Sequence, residues 1–166
     1  LNCIAQGETD AAVTGGGTPT VASLTRFNQF QGSIKKDGVQ LGNVTGAQLT
    51  YTNNLERIET IRSDGKIDGA DPTIAALTGN IEVRFADTTL IDAATDNTPL
   101  ELAFAYTIDA DKSLTFTAHE VYLPKPKLAI SGPGGVQATF DWQAAKATSP
   151  ARMLTVVLKN DVASYA

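Results

Sequence analysis

Apolar and polar positions alternate through much of the chain. That is the period-two pattern of strands with one face in a core. Ile81, Val83 and Phe85 fall on one face, with Glu82 and Arg84 on the other. Leu102, Phe104, Tyr106 and Ile108 share a face opposite Glu101, Ala103, Ala105 and Thr107. Leu114, Phe116 and Ala118 alternate with Thr115, Thr117 and His119. Val136, Ala138, Phe140 and Trp142 alternate with Gln137, Thr139, Asp141 and Gln143, and Leu154, Val156 and Leu158 with Thr155, Val157 and Lys159. Nearer the start, Phe30 to Lys36 reads as a strand that turns back through Lys36-Asp37-Gly38-Val39. Asp-Gly is a strong hairpin signal, because both turn positions need a positive φ. Val39 to Tyr51 is long, Thr-rich and broken by glycines, the pattern of a strand with a kink or bulge. Asp109 to Lys112 is the turn of a second hairpin.

Helix is scarce. Asp87 to Asp96 predicts one, with Thr89 as cap, Asp92 reaching back to it, and Leu90, Ile91 and Ala94 as the apolar side. Pro72 to Leu77 predicts one further helical turn, since proline suits a first helical position. Gly15-Gly16-Gly17 with Pro19, and Pro124-Lys125-Pro126, read as linkers, and residues 7–20 as a mobile Gly-rich loop. No repeat of fixed period is visible. The expected fold is mainly β: a β-sandwich or open barrel of about eight strands with one short flanking α-helix over an edge or an end.

Composition narrows the chemistry. At 166 residues one domain is the default, and a chain of roughly this size buries about 70% of its unfolded surface. One cysteine excludes a disulfide framework within the chain, and one cysteine with one histidine excludes a zinc finger. No apolar run approaches the roughly 20 residues of a membrane helix. Lys+Arg 13 against Asp+Glu 18 gives a net charge of −5, and the densest basic stretch is only Pro124-Lys125-Pro126-Lys127. A protein that grips nucleic acid needs a basic face to neutralise phosphates, and none is visible.

Tests for catalysis return little. His119 is the only histidine and sits on a strand beside Glu120, where a half-exposed strand residue is the simpler reading. There is no Gly-x-Ser-x-Gly elbow. Cys3 has no basic neighbour to lower its pKa and reads as a small packed residue. Ser63 to Asp71 resembles a calcium loop, but Lys66 and Ala75 stand where oxygen ligands are required, so it reads as an Asp- and Gly-rich turn. Gly132-Pro133-Gly134-Gly135 lacks the Gly-Lys-Ser/Thr of a phosphate loop. Asn43-Val44-Thr45 matches a glycosylation sequon without a secretory context, and Trp142, in line with Ala138 and Phe140, reads as a core residue. No catalytic residue, cofactor or metal is expected.

One segment stands apart. Between Asn53 and Asp71, Glu56, Glu59, Asp64, Asp68 and Asp71 are interspersed with Arg57, Arg62 and Lys66. Such a stretch is either a solvated face or a subunit contact built on complementary charge.

Five runs resemble the tail tube (major tail) proteins of long-tailed phages and prophages: Arg26 to Gly38, Tyr51 to Glu56, Leu77 to Leu90, His119 to Pro124, and Gly135 to Trp142 continuing to Asn160-Asp161-Val162. The resemblance spans nearly the whole chain, and its motifs are structural rather than catalytic. It implies a β-sandwich subunit that forms hexameric rings stacked into a tube. Strands of six subunits complete an inner barrel through which double-stranded DNA passes on ejection. Partners are further copies of the chain, the tape-measure and other tail proteins, and DNA that is not specifically bound. No membrane is implied. The place is the virion tail, assembled in the bacterial host cytoplasm. Members of that family carry a further N-terminal β-rich region, so Leu1 to Ala5 is expected to be a strand end, with residues 1–20 a strand end and flexible loop and 21–166 the sandwich domain.

Under that resemblance Val39 to Ile61 is the favoured bore wall. Glu56, Arg57, Glu59 and Arg62 are candidates for the lumen or a subunit contact, and Asp64, Lys66, Asp68 and Asp71 for a ring-stacking loop. The competing expectation is a β-sandwich binding module for glycan or host surface, which exposed aromatics in a groove would favour. Aromatic residues are only 7% of the chain.

Overall fold

The computed structural model describes residues 25–61, 63, 65–84, 88–126 and 135–162. Among them ten strands and one α-helix follow in order: β1 (Gly32–Lys36), β2 (Val39–Gln40), β3 (Val44–Thr52), β4 (Leu55–Ile58), β5 (Gly69–Pro72), β6 (Ala76–Arg84), α1 (Thr89–Asp96), β7 (Leu100–Thr107), β8 (Ser113–Tyr122), β9 (Gln137–Ala145) and β10 (Leu154–Lys159). The chain divides into two compact units, Leu1–Arg26 with Thr52–Ala75, and Phe27–Tyr51 with Ala76–Ala166.

In the larger unit eight strands make one sheet in the order β2-β1-β7-β8-β9-β6-β3, with β10 also paired to β8. β8 is the shared strand. Its residues 113–118 pair with β10 and its residues 120–122 with β9, and the register against β7 shifts between Leu100 and Leu102. The side chains that alternation places inward meet in one core: Leu77, Ile81 and Val83 of β6, Leu100 and Leu102 of β7, Ala118 and Val121 of β8, and Ala138, Phe140, Trp142 and Ala144 of β9. Trp142 is 2% exposed and stacks on Phe104 at 6.0 Å between ring centroids. Leu90 and Ala94 bring α1 onto the same core.

The Asp-Gly hairpin forms as expected. Asp37 (φ 48°) and Gly38 (φ 80°) both lie in the left-handed region, which matches the twist of the flanking strands. Asp37 also anchors the turn to β7: its N–H donates to the Glu101 carbonyl, and its carboxylate accepts from the Glu101 N–H at 2.8 Å. Asp109 closes the second hairpin by accepting from the N–H groups of Asp111 and Lys112.

Several expectations change. The strand beginning at Phe30 starts at Gly32, because Gln29–Gln31 is a single 3-10 turn. The long strand from Val39 is two strands, interrupted at residues 41–43, where the Leu41 N–H turns back to the Ile34 carbonyl. The helix cap is Thr88, not Thr89; its backbone carbonyl accepts from Asp92, and no side-chain cap bond forms. Asn97 ends the helix in the left-handed conformation. The predicted helical turn from Pro72 to Leu77 is not helical: Pro72 closes β5, Ala76 opens β6, and Leu77 pairs with Ala144 of β9. Burial of Leu77 and its ladder to β9 outweigh the local preference of Pro72. Residues 1–20, Cys3, Phe85 and Gly132 to Gly134 lie outside the described residues.

Candidate functional site

The charged segment folds as its own hairpin in the smaller unit. β4 and β5 pair antiparallel with Leu55 opposite Pro72, Glu56 opposite Asp71, Arg57 opposite Ala70 and Ile58 opposite Gly69. Its base is fastened by side chains. Asn54, at φ 48°, donates from Nδ2 to the Ile74 carbonyl at 2.7 Å, and the Thr73 hydroxyl donates to the Asn54 carbonyl. At the other end the Asp68 N–H donates to the Ile58 carbonyl at 3.0 Å.

This register gathers part of the candidate set. Glu56 and Asp71 stand directly opposite each other, two like charges that weaken the pair unless something cationic approaches. Arg57 is paired with Glu59, and all four of these side chains are exposed. Lys66 and Asp68 sit in the exposed connection between the strands. Arg62 and Asp64 lie outside the described residues.

Sequence reasoning passed over two apolar residues in the same unit. Ile61 and Ile74 are 108% and 86% exposed, and Leu55 is 45% exposed. Large apolar side chains held in water beside charges mark a surface that gains from a protein partner. The only available signal was an isolated isoleucine, Ile61 between Thr60 and Arg62 and Ile74 between Thr73 and Ala75, which periodicity does not detect.

A second group lies in the larger unit where β8 changes partner. His119, its side chain 9% exposed, contacts Glu101 of β7 through Nδ1 at 3.0 Å and Thr155 of β10 through Nε2 at 2.7 Å. Its backbone N–H donates to the Met153 carbonyl. A hydroxyl, an imidazole and a carboxylate in line resemble a hydrolytic triad. Here they tie three neighbouring strands together, and neither described cavity includes them. His119 is therefore more buried than a half-exposed strand residue, and its partners are structural. His119→Ala leaves Thr155 and Glu101 without these bonds and is expected to lower stability by about 1–2 kcal/mol in urea unfolding. A change within error would show that the bonds exchange freely with water.

Beyond the hairpin, β10 keeps its alternation but not the expected burial. Val156, Val157 and Leu158 are each about half exposed; among the described residues β10 pairs only with β8 and ends the ladder there. Among the described residues no group of His, Cys, Asp and Glu could hold a metal ion, and no helix is long and apolar enough to cross a membrane.

Comparison with known proteins agrees with this picture of a β scaffold. The fold is similar to the anti-feeding prophage tube-terminating cap, with a TM-score of 0.60 at 11% identity over 89% of this chain and 99% of that one. It is similar to the SPP1 tail tube, with a TM-score of 0.59 at 13% identity over 82% and 81%. It is similar also to a chain from the tail of an empty gene transfer agent particle refined with six-fold symmetry, with a TM-score of 0.56 at 12% identity over 78% and 98%. No curated protein sequence matches the chain. The family model described as "Phage tail tube protein" matches residues 1–144, so the chain belongs to the phage tail tube protein family and is a structural component of the virion tail.

Proposed function

We propose that this subunit assembles with copies of itself into hexameric rings, that the rings stack into the tail tube, and that double-stranded DNA passes through the bore without specific binding. The observation that carries the reading is the tube-family match over residues 1–144, alongside folds shared with tube subunits. The role is structural rather than catalytic. Tape-measure and other tail proteins are the further partners. Assembly also suits what the strand order leaves at its edges: among the described residues β2, β3 and β10 end their ladders, a hazard that a closed ring removes.

The β4–β5 hairpin is the proposed contact between subunits or rings. Glu56 and Asp71 offer paired carboxylates, Arg57 and Lys66 offer cations, and Ile61 and Ile74 offer apolar area. Electron microscopy of the purified complete gene product tests the whole reading. Six-fold rings or filaments are expected, while a stable monomer that retains a glycan would replace this reading with a binding module. For the hairpin, Glu56→Lys with Glu59→Lys is expected to cut tube yield by about tenfold, which corresponds to a loss of about 1.4 kcal/mol per contact. Unchanged tubes and normal infectivity would remove the hairpin from the interface.

A further inference from the structure

The large sheet presents two outward faces of different chemistry. On β6 and β9 the outward positions pair as Thr78 with Gln143, Asn80 with Asp141, and Glu82 with Thr139. All are exposed except Asn80, which is half-buried. Asn80 Nδ2 also donates to Gln48 Oε1 of β3 at 3.4 Å, so the amide layer continues onto the next strand. The cation at the end of this ladder, Arg84, is exposed and lies beside Gly135, where a Cβ would stand 2.6 Å from its Nε. No apolar side chain interrupts these pairs.

Across β1, β7, β8 and β10 the outward face differs. Ala103 pairs with Thr117 and Ala105 with Thr115; these are small and half-buried. Lys35 stands exposed opposite Ala103, and Val157 is 53% exposed opposite Thr115.

We infer that the amide and carboxylate face of β3, β6 and β9 is the wall that double-stranded DNA slides past. The inference rests on the tube reading above. Duplex DNA carries one negative charge per roughly 1.7 Å of axis, and each lysine or arginine that reaches a phosphate adds a salt-dependent hold. The paired positions, which carry Glu82 and Asp141, give no such hold, and the one arginine of the face, Arg84, stands at the end of the ladder beside Gly135. Neutral amides bonded to one another, as Asn80 is to Gln48, have part of their donor capacity already used. Apolar side chains would meet the hydrated duplex at a cost, and the three exposed cross-strand pairs of β6 and β9 have none, the face ending at the small, half-buried Ala76 and Ala145. The other face fails on both counts, through Lys35 and Val157.

The test places the same charge on each face in turn. Particles are built with the complete protein carrying Asn80→Lys and Asp141→Lys, or carrying Ala105→Lys and Thr117→Lys. Tubes are counted by electron microscopy and DNA delivery by titre. Retention of linear double-stranded DNA by purified tubes is measured across salt concentrations. The expected result is normal tube yield with the first pair, DNA retention that weakens steeply with salt, and a titre lower by about tenfold or more, with the second pair close to wild type. Normal delivery with the first pair would overturn the assignment. Loss of tubes with the first pair would overturn it too, because that face would then be a packed contact and not an open wall. Failure of the wild-type protein to form tubes would instead sink the tube reading itself.

Discussion

Gly79→Ala is expected to lower stability by about 3 kcal/mol, close to the upper end for overpacking, and the melting temperature by roughly 6–12 °C. Gly79 lies in β6 directly opposite Trp142 of β9. A Cβ there would stand 2.0 Å from the Gln48 carbonyl oxygen and 2.5 Å and 2.8 Å from two carbons of the indole. Neither neighbour can yield cheaply. The first is backbone of β3, the strand at the end of the sheet. The second is a ring that is 2% exposed and stacked on Phe104. Relief requires β3 to lift from β6 or the indole to leave its place. Trp142 is the only tryptophan, so its near-ultraviolet signal reports the second route directly. Gly46→Ala is the control. Its Cβ would meet the Glu82 carboxylate at 3.1 Å, the far end of a flexible exposed side chain, and the cost is expected to stay below about 1 kcal/mol. Equal melting temperatures for the two variants would refute this steric account.

The strands around that glycine were legible because each carries strict alternation with a buried partner across the sheet. Ile81, Val83, Leu102, Phe140 and Trp142 are core residues in the sequence pattern and in the fold. The Asp37-Gly38 turn was legible for a local reason, the positive φ that those residues accept. Other features depend on what lies across from a residue. Val156 and Leu158 alternate as cleanly as Phe140 does, yet both are half exposed, because strand register assigns a face but does not supply a cover. Leu55–Ile58 and Gly69–Pro72 show no alternation, and their pairing comes from the Asn54 and Thr73 bonds at the base of the hairpin. The candidate charges were therefore visible as a composition. That Glu56 faces Asp71, while Arg57 turns to Glu59, required the register. His119 hides for the same reason: Glu101 and Thr155 are distant in sequence and meet it only across three strands.

Phe140→Ala is expected to cost about 3–5 kcal/mol, a large part of the 5–15 kcal/mol that holds a typical domain folded. Phe140 is 1% exposed, opposite the fully buried Ile81, and flanked along β9 by the inward Ala138 and Trp142. Phe140 belongs to the buried core cluster and its strand is laddered to β6, so closing the cavity requires a strand to move. The neighbouring Trp142→Phe change is expected to be much milder, about 1 kcal/mol. It removes indole volume, but it also removes Nε1, a buried donor with no hydrogen-bond partner among the described residues. A buried donor left unpaired costs about 1–3 kcal/mol, so its removal offsets much of the lost packing. Urea unfolding followed by far-ultraviolet dichroism compares the two variants without needing the tryptophan as a probe. Equal costs would mean that Trp142 Nε1 is satisfied in solution, by a trapped water, and that β9 is held by a polar contact as well as by its apolar face.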